Sequence, residues 1–146
     1  MTAAHIALGT ALIVCNALAG AWGGLRWWRG ETSRAFWPLL RLGQALVAVE
    51  AIDGAVLVLQ GRDLPSLHLI YGLVPLGVSF FAEQLRLVSA DQILQQRGLE
   101  GRADVERLSS EDQQALVHAI LRREMGVMAA SAGVVALLGV RAAGLL

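Results

Sequence analysis

Residues 2–25 contain only two titratable side chains, His5 and Cys15. A run of ~20 apolar residues is long enough to cross a bilayer as a helix. In water, so long an uncharged helix would lack a solvated face. Three more runs of this kind follow, at about 36–60, 64–88 and 123–145. They predict an all-α integral membrane protein, an antiparallel four-helix transmembrane bundle forming one domain over residues 1–146. Residues 89–122 are too polar to span and predict a helical hairpin extension outside the bilayer.

Composition supports this class. The chain is 55% hydrophobic and 16% charged, against roughly 45–50% and ~25% in soluble domains. So apolar a chain is not disordered. The single cysteine excludes a disulfide scaffold. A formal net charge of zero gives no field to hold nucleic acid. No secretory signal is expected, because residues 1–20 have no basic n-region and no clear cleavage site. Cys15 reads as a small buried apolar residue.

Orientation follows from arginines in the short loops. The first loop carries Arg26, Arg29 and Arg34, and the third connection Arg97, Arg102 and Arg107. The second loop has only Arg62, beside Asp63. The expectation is a plasma-membrane protein with both termini outside and loops one and three cytoplasmic. Trp22, Trp27, Trp28, Phe36 and Trp37 then fall at the inner headgroup level. In the extension, Gly98 is placed to stop helix three, residues 98–108 read as a polar linker, and Ser110 with Gln113 reads as a capping box. Leu116, Val117, Ile120 and Leu121 make one apolar face of the next helix. The hairpin is either a packed connector or a surface for a redox partner or a larger membrane complex.

In lipid, small and polar residues mark the interior face of a helix, because ordinary apolar groups gain little by leaving the acyl chains. At roughly 100° per residue, helix one aligns His5, Gly9, Leu12, Asn16, Gly20 and Gly23, with Gly20 and Gly24 also forming a GxxxG pair. Helix two aligns Gly43, Leu46, Glu50, Asp53, Leu57 and Gln60. Helix three aligns His68, Gly72, Pro75, Ser79, Glu83 and Arg86. The last helix offers Gly126, Ala129, Ala130, Gly133 and Ala136, which suit close packing.

Helices one and three run in the same direction, and each places a histidine about one turn from its outer end, with glycine four residues on. As diagonal neighbours their axes lie about 12–14 Å apart. Two imidazoles with a metal between them suit that gap. This arrangement resembles the four-helix membrane cytochromes b, in which two histidines clamp a haem. The resemblance implies haem b held by His5 and His68, room for the macrocycle at Gly9 and Gly72, propionates held by Arg62 and Arg141, and electron transfer near the outer leaflet. With both axial positions filled, oxidase chemistry is not expected. His118, on the hairpin, reads as a solvated residue.

Glu50 and Asp53 are costly in a membrane helix, at ~2.5–3.5 kcal/mol for a carboxylate at its centre. At i, i+3 they share a face and would repel if both ionised, so one is expected to carry a proton. They suit a proton relay, an acceptor behind a ligand histidine, or a packing hydrogen bond to Asn16 or Ser79. They also carry the alternative functions: a small proton-coupled transporter or channel, which one bundle of this size would form as a homodimer, or a non-catalytic accessory subunit. Arg41, Glu83 and Glu124 fall at one depth and predict an ion-pair cluster at the cytoplasmic boundary. No Walker loop, GxSxG, HExxH or CxxC occurs, and no nucleophile stands beside a histidine, so no enzyme class is assigned.

Overall fold

A computed structural model describes residues 3–62 and 66–145. The predicted start of the third span at Leu64, and Asp63 in the second loop, lie outside the described residues. The helices are α1 (Ala3–Trp28), α2 (Phe36–Leu59), α3 (Ser66–Gln96), α4 (Arg102–Glu106) and α5 (Ser110–Ala142). Four of them, α1, α2, α3 and α5, are long and apolar enough to cross a membrane. At 31 and 33 residues, α3 and α5 exceed the ~20 residues that a bilayer needs, so both run on into the extension.

The four long helices form a ring in chain order. Helix α5 lies along both α1 and α3, α2 lies along α1, and the seam between α2 and α3 is sparse. Facing residues step in opposite order along α1 and α2: Gly9 meets Glu50, Asn16 meets Gly43, and Gly23 meets Phe36. The core is built from Ala19, Phe36, Leu40, Met125, Met128, Ala129 and Ala132, with a second cluster of Leu12, Val47 and Val135. Most large apolar side chains are elsewhere. Ile6, Leu18, Ile52, Leu59, Ile70, Leu73, Phe80, Phe81 and Leu137 are all more than half exposed. A soluble monomer does not present so much contiguous apolar surface.

Close approach explains the small residues. A Cβ at Gly20 would lie 2.9 Å from the backbone nitrogen of Gly133, so α1 and α5 touch backbone to backbone there. At Gly24 nothing lies within 4 Å. The two glycines of the GxxxG pair therefore differ. Gly20→Ala should lower bundle stability by about 1–3 kcal/mol, because backbone cannot yield as a side chain can. Gly24→Ala should be neutral or slightly stabilising through helix propensity. Thermal unfolding in detergent measures both, and equal losses would contradict the assignment.

Each long helix ends at a glycine with positive φ: Gly30, Gly61, Gly98 and Gly144. At the end of α3, the Leu99 amide donates to the Leu94 carbonyl and the Gly98 amide to that of Gln95, the paired bonds of a Schellman stop. The expected stop at Gly98 is present. Two local expectations are corrected. The N-cap of α5 is Ser109 rather than Ser110: its hydroxyl accepts from the Asp112 amide at 3.1 Å and donates to the Asp112 carboxylate at 2.7 Å. Gln113 is not the box partner, since its side-chain amide donates to the carbonyls of Val105 and Leu108. Residues 98–108 are not a plain linker either. They contain α4, and Leu99, Val105 and Leu108 pack with Ile93, Leu116 and Ile120 into a third core. The apolar residues within this polar stretch are what fold it onto the hairpin.

At the level where α3 leaves the apolar stretch, Glu83 gathers charges from two helices. It accepts from Arg41 of α2, from Gln44 at 3.0 Å and from Arg86 at 3.0 Å. Arg86 also reaches Glu124 of α5 at 3.4 Å. The expected Arg41–Glu83–Glu124 cluster exists, with Arg86 as the bridge that links Glu124 to it. It closes the sparse α2–α3 seam at this end.

Candidate metal centre

At the opposite end of the bundle, α1 and α3 begin and α2 and α5 finish. There α1 turns His5 inward, where it is buried at 5% exposure. One ring atom, Nδ1, lies 2.9 Å from Asp53 Oδ2 and 3.3 Å from Glu50 Oε1. The i, i+3 spacing on α2 puts both carboxylates on the face that α1 covers. Glycines make this possible. A Cβ at Gly9 would sit 3.1 Å from Glu50 Oε1, and one at Gly54 would be 3.9 Å from His5 Cε1. Oε2 of Glu50 is buried without a hydrogen-bond partner among the described residues, an expensive state for a carboxylate oxygen.

His68 arrives from α3 at the same level. Its ring centroid is 5.8 Å from that of His5, with the planes tilted by 55°. Its Nδ1 donates to the backbone carbonyl of Ala142 at 3.0 Å. That carbonyl belongs to the last turn of α5, where no helical amide is left to use it. A hydrogen on Nδ1 makes Nε2 the lone-pair nitrogen of the neutral ring. A backbone carbonyl in this role is how ligand imidazoles are commonly fixed.

His5, Glu50 and Asp53 each offer a ligand atom, and the three atoms lie within 4.8 Å of one another. Atoms sharing an ion at ~2.1 Å stand roughly 3.0–3.4 Å apart. The two spacings to Nδ1 are already near that range, so small side-chain movements would complete a three-ligand set. Imidazole with carboxylates is a donor set for first-row divalent ions rather than for calcium or magnesium.

The remaining residues from the sequence fall outside this group. Asn16 is buried about three turns beyond His5, with its side-chain amide donating to the Leu12 carbonyl and its head against Gly43. Ser79 is half-buried on α3, about three turns beyond His68. Gly72 has open space where a Cβ would be. Arg62 is exposed beyond the end of α2, and Arg141 stacks its guanidinium over Tyr71 at 5.5 Å. A haem held between His5 and His68 would require the Glu50 carboxylate to move. Its macrocycle would need the volume beside Gly9, and the Glu50 carboxylate fills it. One contributor was not visible in the sequence, the Ala142 carbonyl, because backbone acceptors carry no residue signature.

Comparison of the chain with protein-family models, with curated proteins and with solved structures returns no match.

Proposed function

We propose that this is an integral membrane protein that binds a divalent transition-metal ion inside an antiparallel four-helix bundle, with His5, Glu50 and Asp53 as ligands and His68 as the fourth. The observation that carries this reading is the convergence of two carboxylates on one buried imidazole nitrogen. Two carboxylates set against one imidazole concentrate negative charge where His5 and Glu50 are largely shielded from solvent. A single divalent ion cancels it and supplies a partner for the orphaned Glu50 oxygen. Membrane insertion is supported by the four apolar helices and by their exposed apolar faces. The arginine-rich first loop and extension favour a cytoplasmic position for that end, which puts the metal site in the outer half of the bilayer.

A second reading, the proton site of a small transporter or channel, draws on the same shared nitrogen. One optical experiment separates these readings and the haem protein. Cobalt(II) added to the purified full chain in detergent should give weak visible d–d bands that saturate at one ion per chain. His5→Ala and Glu50→Gln should each weaken binding at least tenfold, and zinc should displace the cobalt. A folded protein that binds neither ion defeats the metal reading. A Soret band lost on His68→Ala would establish the haem reading in its place.

A further inference from the structure

At the arginine-rich end, α1 and α5 leave a groove on the outside of the bundle. Its floor is Gly20, Gly24, Gly126 and Ala130, its wall is Trp27 and Trp28, and Arg123 lies at its mouth. The cavity is about 530 Å³. It exists because the helices touch at Gly20–Gly133 and then part, leaving Gly24 with nothing within 4 Å. Trp27 lies flat against α5, with its ring 2.6 Å from where a Cβ of Gly126 would be. This contact holds the inner side of Trp27, while Trp28 is largely exposed. Apart from Arg123, the groove's lining is glycine, alanine, valine and tryptophan, an apolar surface.

The mouth is strongly positive. Arg26 is neutralised by Glu31. Arg122 donates to the Trp27 carbonyl and Arg123 to Gln92. Neither contact brings a negative charge. Arg29 follows Trp28 directly and is exposed. Arg123, which lines the slot, and Arg122, bonded to the Trp27 carbonyl, thus stand at its end with no acidic partner among the described residues. Tryptophan and arginine at the end of a hydrophobic slot match the boundary between acyl chain and headgroup.

We infer that this groove holds one anionic phospholipid, with an acyl chain over Gly20 and Gly24 and its phosphate against Arg122 and Arg123. The inference rests on the membrane reading above and is independent of the metal site. The arginines make charge-assisted hydrogen bonds to phosphate oxygens, and the phosphate supplies the counter-charge that the neighbouring residues do not.

The full chain in nanodiscs containing phosphatidylcholine and phosphatidylglycerol, released into detergent for native mass spectrometry, provides the test. One phosphatidylglycerol should remain bound per chain, at least fivefold more often than phosphatidylcholine. Gly24→Leu fills the slot without a clash and should abolish retention while leaving the melting temperature unchanged. Arg122→Gln with Arg123→Gln should remove the preference for the anionic lipid. Equal retention of both lipids, or retention that survives Gly24→Leu, overturns the inference. A chain that does not float with vesicles at all refutes the membrane reading instead.

Discussion

Replacing Glu83 with alanine should destabilise the bundle by about 1–2 kcal/mol, between the contribution of an exposed ion pair and the cost of breaking a buried one, because Glu83 and Arg86 are partly shielded while Arg41 is half exposed. Glu83 is the acceptor shared by Arg41, Gln44 and Arg86. Without it, Arg41 keeps only Gln44 within reach, at 2.6 Å. Arg86 keeps the longer contact to Glu124 and its place over the Trp37 ring at 5.8 Å. Two guanidiniums would then share one end of the α2–α3 seam without the carboxylate that separates them. Their repulsion would act where those helices have little else in common. Glu83→Gln should cost less, since its amide oxygen still accepts from one arginine. Unfolding of the purified protein by denaturant in detergent measures the difference. An alanine variant as stable as the parent would mean that the cluster is solvated and contributes nothing.

The second large effect is steric. Gly23 is buried where α1 meets both α2 and α5. A Cβ there would lie 2.5 Å from the ring of Phe36 and 2.9 Å from the Ala129 methyl. Phe36 is itself fully buried and packs edge-on against Trp37, so it has nowhere to move. Gly23→Leu should cost about 3 kcal/mol, the upper end of the range for overpacked cores. Phe36→Ala in the same chain should recover part of the loss, because it removes the atoms in conflict. Failure of the double variant to recover any stability would place the strain elsewhere.

Much of the bundle was readable because small and polar residues, rather than the largest apolar ones, mark where its long apolar helices meet. On α1 the residues His5, Asn16, Ala19 and Gly23 are buried, and they stand out among larger apolar neighbours by being small or polar; Leu12 is buried with them through its place on the same stripe. The common level of His5 and His68 follows from counting turns inward from each helix start. The detailed chemistry was less accessible. Periodicity placed Glu50 and Asp53 on one face but gave no rotamers, so it did not show that both carboxylates turn to a single nitrogen. Gly9 was visible as a gap, yet the sequence could not say whether a cofactor or a carboxylate fills it. The start of α5 shifted by one residue because Ser109 and Ser110 are adjacent and chemically equal as caps. Only the position of the Asp112 side chain distinguishes them.

The ring arrangement also bears on biosynthesis. A chain is made from its amino end, and α5 is the last of the long helices to emerge. Until then α1 lacks the backbone surface that meets Gly20, and α3 lacks the carbonyl that orients His68. The early product is a hairpin of α1 and α2 followed by a third helix held to it mainly by the bonds of Arg41 and Gln44 to Glu83. Such an intermediate would present the glycine edge of α1 to any passing quality-control protease, and arrival of the final helix would hide it.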